Sequence, residues 1–246
     1  MRFAAIADIH GNHLAFEAVL ADIQAQGIEE VVNLGDFFSG PLEAGRTADM
    51  LIPLGFTSVR GNHDRYLFEQ DPDSMHVSDA AAYRQLTPSH LEWLRGLPFD
   101  AVYQGEAYLC HATPKDDNLY WLESVSPEGH VFPKPIEAIE ALAEGIDLPL
   151  ILCGHSHVPR AVRLSDGRLI VNPGSVGCPA YDDVLPYYHK VEAAHPLASY
   201  AILEKTAAAW TWQFRHVAYD HMAMSALAAK RGRADWQSAL ATGWLR

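Results

Sequence analysis

The sequence predicts an α/β fold, read as a single domain over residues 1–246 with two sheet halves. Three observations predict it. The first sixty residues alternate short apolar runs with stretches of helical spacing. Later apolar runs come in pairs around turn residues. Five short clusters of Asp, Asn and His each stand at the end of an apolar run.

Phe3 to Ala7 is short, apolar and closed by a polar loop, as a buried strand should be. From His13 to Gln26, Leu14, Ala18, Val19 and Ile23 fall at helical spacing, and Gly27 is the stop. Val31 to Leu34 reads as a second strand, about Leu42 to Ile52 as a helix, and Thr57 to Val59 as a third strand. Strands joined through helices pair in parallel. Ser78 to Leu86 reads as a helix, and Thr87-Pro88 as the cap and first position of another. Phe99 to Tyr103 and Ala107 to Cys110 form a hairpin around Gln104-Gly105. The stretch from about Asp116 to Pro135 has no period and is read as part of a small loop or cap insertion around 112–135. Ile136 to Gly145 is a helix and Leu148 to Cys153 a strand. A hairpin around Ser165-Asp166-Gly167 and a strand pair, Ser199 to Leu203 with Trp210 to Phe214, follow. After Asp220 the chain is alanine-rich and helical.

The net charge of −13 argues against a protein that tracks a nucleic-acid backbone and favours a small substrate. Cys110, Cys153 and Cys178 give no disulfide framework and fit a reducing compartment. The apolar run before Asp8 is too short for a signal-peptide core, and no stretch is long enough to cross a membrane. The expectation is a cytoplasmic protein without a membrane partner, its homo-oligomeric state left open.

The five clusters are Asp8-Ile9-His10, Gly35-Asp36, Gly61-Asn62-His63-Asp64, His111 and Gly154-His155-Ser156-His157. Loops at the carboxyl ends of strands are where α/β folds place ligands, so ordinary topology gathers these residues at one sheet edge. Asp8 and His10, two apart in an extended turn, would point the same way and grip one ion, and His155 and His157 share that spacing. Mixed oxygen and imidazole donors suit Mn, Fe, Zn, Co or Ni better than Mg or Ca. Two such ions about 3.5–4 Å apart would let a bridging hydroxide attack a phosphate ester.

These motifs resemble those of the calcineurin-like metallophosphoesterases, and within them the compact prokaryotic predicted phosphodiesterases, some of them diadenosine-tetraphosphatase-related. Asn172-Pro173-Gly174-Ser175-Val176-Gly177 and the tail around Val217 to Asp220 share in the resemblance. It implies a four-layer αββα sandwich of two mixed sheets flanked by helices. It implies that Asp8, His10 and His157 hold a first ion, Asp36 bridges, and Asn62, His111 and His155 hold the second. His63 matches the general acid. Manganese is the expected metal of a dinuclear centre. Ser/Thr protein phosphatases carry an Asp and then an Arg where this chain has Ser39 and Gly40, so the carboxylate that orients their histidine is missing there.

The expected function is hydrolysis of a phosphodiester or phosphoanhydride of a small, nucleotide-type substrate. Tyr120, Trp121, Phe132, Tyr181, Tyr187 and Tyr188 are candidates for stacking on a base, and Arg60, Lys115 and Arg160 for contact with the substrate. The alternatives are a phosphomonoesterase and a silent scaffold on the same fold. The full set of ligand types argues against the scaffold.

Overall fold

Strand β1 (Arg2–Ile6) explains the core by its alternation. Phe3 and Ala5 face one hydrophobic cluster, Ala4 and Ile6 another, and all four are fully buried. A strand apolar on both faces must be covered on both. The computed structural model describes residues 1–246 and supplies both covers.

Helix α1 (His13–Ala25) packs Phe16, Val19 and Ile23 against the outer face of β1. It is capped by Asn12, whose side-chain oxygen accepts the Ala15 N–H. β2 (Val31–Asn33) pairs parallel with β1, helix α2 (Ala44–Leu51) follows, and β3 (Thr57–Ser58) pairs parallel with β2. Helix α3 (Asn62–Glu69) then begins inside the Gly61-Asn62-His63-Asp64 cluster. Its start is set by Asp64, whose carboxylate accepts the Gly61 N–H at 2.8 Å. Helices α4 (Val77–Tyr83) and α5 (Pro88–Arg95) follow, the latter capped by Thr87 as its sequence predicts.

The second sheet is built from β4 (Asp100–Tyr103) and β5 (Ala107–Cys110), then, beyond the small hairpin β6 (Glu123–Val125) and β7 (Val131–Pro133) and helix α6 (Ile136–Leu142), from β8 (Leu150–Leu152), β9 (Arg160–Arg163) and β10 (Leu169–Asn172). The order is β4-β5-β8-β10-β9, with β5, β8 and β10 parallel to one another. A second small hairpin, β11 (Ala180–Asp183) with β12 (His189–Glu192), leads to the long antiparallel pair β13 (Ala198–Lys205) and β14 (Trp210–Val217). That pair returns to the first sheet, giving β14-β13-β1-β2-β3. The alanine-rich tail is two helices, α7 (His221–Lys230) and α8 (Ala234–Thr242), broken at Gly232.

Phe3, Ala5, Val32 and Leu34 of the first sheet meet Leu109, Leu150, Leu152 and Val171 of the second in one buried cluster. Cys110, Ile151 and Ile170 point the other way, onto Trp121 and Ile139 of the outer layer. The layers are therefore helix, sheet, sheet, helix, with both sheets mixed. Besides helix α3, two features escape the sequence reading. The aperiodic stretch near 116–135 contains β6 and β7, and β11 with β12 forms a strap that no alternation in the sequence announces.

Candidate metal centre

All five clusters come together at the carboxyl ends of β1, β2, β3, β5 and β8. Backbone bonds stitch the loops into one rim: Asp8 N–H donates to Gly35 O at 2.9 Å and Gly154 N–H to His111 O at 2.6 Å. Gly61 can lie there because it lacks a side chain. A Cβ on it would stand 2.1 Å from Asp36 Oδ1.

Donor atoms of Asp8, His10 and His157 lie within 4.8 Å of one another, as do those of Asp36, His111 and His155. Asn62 joins the second group, its Oδ1 3.1 Å from His111 Nε2. Asp36 stands between the groups: its Oδ2 is 3.3 Å from His111 Nε2 and 4.0 Å from His10 Nε2. The extended turn expected at Asp8 and His10 is not what the chain adopts. Asp8, His10, Asp36, His155 and His157 all have positive φ, between 50° and 68°. Such residues carry roughly 1–3 kcal/mol of strain each and persist where the surroundings impose them.

The imidazoles are oriented by carbonyl oxygens, which can only accept. His10 Nδ1 donates to Ser39 O at 2.7 Å, His111 Nδ1 to Leu34 O at 2.7 Å and His157 Nδ1 to Cys178 O at 2.9 Å. Each Nε2 is thereby left facing the site. His10 Nε2 and His157 Nε2 face each other at 3.1 Å. Two lone pairs at that distance need a proton or a cation between them. Asp8 Oδ1, fully buried beside them, has no hydrogen-bond partner. His155 differs in hand: its Nε2 donates to Asn118 O at 2.9 Å, leaving Nδ1 as its free donor atom. The residues present therefore fit a pair of divalent transition-metal ions.

The electrostatics agree. Burial, and then His157, pull His10 down to about 4, and burial with His111 does the same to His155, so both stay neutral near pH 7. Burial also opposes charge on His111, but the Asp36 carboxylate overrides it and lifts His111 to about 9. Asp8 raises His157 in the same way. A metal ion would take the place of those protons.

His63 sits beside the two groups at the start of α3. Burial lowers its pKa, but Asp36 and Asp79 together raise it to about 9. Its Nδ1 is 2.8 Å from Oδ1 of Asp79, on α4, and Ser39 Oγ donates to the same oxygen at 2.6 Å. The orienting carboxylate absent from the Ser39–Gly40 position thus arrives from elsewhere in the chain. No motif spacing flagged Asp79.

A cleft of about 1410 Å³ opens over His10, Asp36, Asn62, His63, His155 and His157. Four aromatic rings each stand against a histidine of the site: Tyr66 at His63, Tyr120 at His155, Tyr181 at His157 and Trp236 at His10, with centroids 4.6–6.1 Å apart. Of the aromatics expected near a base, Tyr120 and Tyr181 line the cleft; Trp121 instead fills the outer core, donating to Ile139 O. Phe132, Tyr187 and Tyr188 are exposed outside it. Tyr66 and Trp236 were not anticipated. None of the three expected cations lines the cleft. Arg60 donates to Leu97 O, Arg160 to Glu123 at 2.7 Å, and Lys115 is exposed elsewhere.

The family model described as the calcineurin-like phosphoesterase superfamily domain matches residues 1–189. An uncharacterized protein of Methanocaldococcus jannaschii is 27% identical over 198 residues, covering 72% of this chain and 76% of the relative. The crystal structure of a metallophosphoesterase from Sphaerobacter thermophilus superposes with a TM-score of 0.75 at 25% identity, covering 99% of this chain and 100% of that one. No helix of the structure is long and apolar enough to cross a membrane.

Proposed function

The chain belongs to the calcineurin-like phosphoesterase superfamily and is a phosphate-ester hydrolase, and from that premise we propose that it hydrolyses a phosphodiester or phosphoanhydride of a small, nucleotide-type substrate at a dinuclear metal centre. Asp8, His10 and His157 would hold one ion, Asn62, His111 and His155 the other, and Asp36 would serve both. The observation that carries this reading is the pair of imidazole nitrogens, His10 Nε2 and His157 Nε2, held 3.1 Å apart with both ring Nδ1 atoms committed to carbonyls. Manganese is the first candidate, with Fe, Zn, Co or Ni as alternatives. Bound there, the ions would polarise the phosphate and make a nucleophile available from water near neutral pH.

The protein's own groups do the rest. The fixed carbonyl partners hold the imidazoles in one tautomer and orientation. His63, its ring held by Asp79, gives a proton to the departing oxygen, which is worth about 10²–10⁴-fold in rate. Asp79 and Ser39 fix the ring that does so. The collar of Tyr66, Tyr120, Tyr181 and Trp236 offers faces and edges to a flat organic group, at about 1–3 kcal/mol per stacked base. The reading of a small cap insertion around 112–135 is supported by the side chains that this stretch sends to one wall of the cleft: Asn118, Leu119, Tyr120, Glu123, Ser124 and Val125.

Metal-stripped protein given Mn²⁺ and a matched pair of chromogenic substrates, p-nitrophenyl phosphate and bis-p-nitrophenyl phosphate, tests this reading. Metal-restored turnover with preference for the diester is expected. Preference for the monoester would move the search to sugar and nucleotide phosphates. No turnover despite two bound ions would favour a scaffold.

A further inference from the structure

We propose that the outer cleft selects a diester containing a single phosphate whose second substituent is uncharged and apolar or aromatic, and discriminates against substrates that carry additional phosphates. This presupposes the phosphoesterase site described above and narrows its substrate from phosphoanhydrides to diesters.

The cleft, at about 1410 Å³, is far larger than a phosphate group, so a substrate that fills it would mostly touch residues other than the metal ligands. Among the neutral polar residues of its outer part, such as Gln70, Ser74 and Ser124, two other kinds of side chain stand out. Leu119, Val184 and Leu185 are exposed apolar residues, 42%, 70% and 71% accessible, that line it. They are continuous with the aromatic collar through the neighbouring Tyr120 and the β11–β12 strap, whose Tyr181 bonds Tyr120 hydroxyl to hydroxyl at 2.5 Å. The second kind is acidic. Asp116 and Asp182 are exposed on the lining and bonded only to neutral groups, the Asn118 N–H and the Tyr188 hydroxyl.

Only two Lys or Arg side chains line the cleft, and both are engaged. Lys134 Nζ donates to Tyr120 O at 2.5 Å. Arg233 grips Asp235 at 2.6 Å and Ser78 Oγ at 2.9 Å. Phosphate recognition relies on free guanidinium, ammonium or clustered N–H donors. The first phosphate has the metal centre. A second would find neutral donors such as Gln70, Ser74 and His76 but no free guanidinium or ammonium, and beside Asp116 and Asp182 it would meet like charge, which opposes binding. An uncharged ring or alkyl group meets neither obstacle and gains the apolar surface.

Two chromogenic esters with the same leaving group separate the possibilities: p-nitrophenyl thymidine 5′-phosphate and the same compound with an added 3′-phosphate. Both are assayed with the Mn²⁺-loaded protein, alongside bis-p-nitrophenyl phosphate. The ester without the extra phosphate should have the higher kcat/KM by about tenfold. That gap should narrow as salt screens the rim charges, and again in the Asp182→Lys variant. Equal or faster turnover of the 3′-phosphorylated ester overturns the proposal, as does a gap that neither salt nor Asp182→Lys moves. If none of the three compounds is hydrolysed, the phosphodiesterase reading itself fails, a result distinct from loss of selectivity.

Discussion

His63 and Asp79 are joined by an Nδ1-to-Oδ1 contact of 2.8 Å, although they sit on different helices sixteen residues apart. Asp79 is 1% exposed and also receives the Ser39 hydroxyl, so its carboxylate is held from two sides. The imidazole then has one tautomer, with Nδ1–H on the carboxylate and Nε2 free to carry the mobile proton. Asp79→Asn removes the charge and keeps the shape. Its kcat/KM should fall roughly 10–100-fold with metal content intact. The acid form of His63 is present below its pKa and lost as pH rises through it, and Asp79 helps raise that pKa to about 9. The alkaline limb of the rate profile should therefore move to lower pH in the variant. An unmoved limb would mean that Asp79 only supports the fold.

His63→Ala should retain both metal ions, since no ligand of either group is removed, and lose about 10²–10⁴-fold in rate. The loss should grow with the basicity of the leaving group, because a good leaving group departs without a proton. Elemental analysis and a series of aryl esters measure the two quantities. Loss of metal, or a loss of rate independent of the leaving group, would reassign His63 from proton donor to ligand support.

Metal uptake should release protons. His111, lifted to about 9 by Asp36, and His157, lifted by Asp8, are both protonated at pH 7 until an ion displaces the proton. Titrating stripped protein with Mn²⁺ in buffers of different ionisation enthalpy should show roughly two protons released at pH 7. Affinity should fall as pH is lowered and protons compete. The share released by His111 should vanish well above pH 9. A binding heat that is the same in every buffer would contradict the assignment of these two histidines.

How much of this was legible in the sequence differs residue by residue. The strands β1, β2, β5 and β8 are short apolar runs buried on both faces, and each ends in its polar cluster, so both the sheet and the ligand candidates could be read. The start of α3 was hidden because Asn62 and His63 resemble loop residues, while the cap is the backbone of Gly61 bonded to Asp64. The positive φ values of Asp8, His10 and Asp36 were hidden because nothing but tertiary contact imposes them on residues with a Cβ. Asp79 was hidden by distance, forty residues beyond the Ser39 it bonds. The ion pair of Arg160 with Glu123 was hidden because Glu123 lies in a stretch without period.

Asp64 holds the two loops of the site together. Its Oδ2 accepts the N–H of Asp36 at 2.7 Å and of Gly61 at 2.8 Å, and its Oδ1 accepts that of Phe37 at 3.1 Å. The side chain is fully buried, so no water can replace these bonds. Asp64→Asn turns one oxygen into a donor. Whichever way the amide lies, at least one backbone N–H then faces an NH₂ group. An orphaned buried donor costs about 1–3 kcal/mol, which for a chain of this size lowers Tm by roughly 2–12 °C. The same break leaves the His63 N–H on Asp36 Oδ1, at 3.0 Å, to tie the Gly35–Asp36 turn to the start of α3, so Asp36 and Asn62 are held less firmly in register and metal content should fall. Asp79→Asn is the control, because it alters a buried carboxylate bonded only to side chains and should leave the metals in place. If Asp64→Asn melts like the unaltered protein and keeps both ions, the sheet and the His63 N–H on Asp36 hold the two loops and the clamp is dispensable.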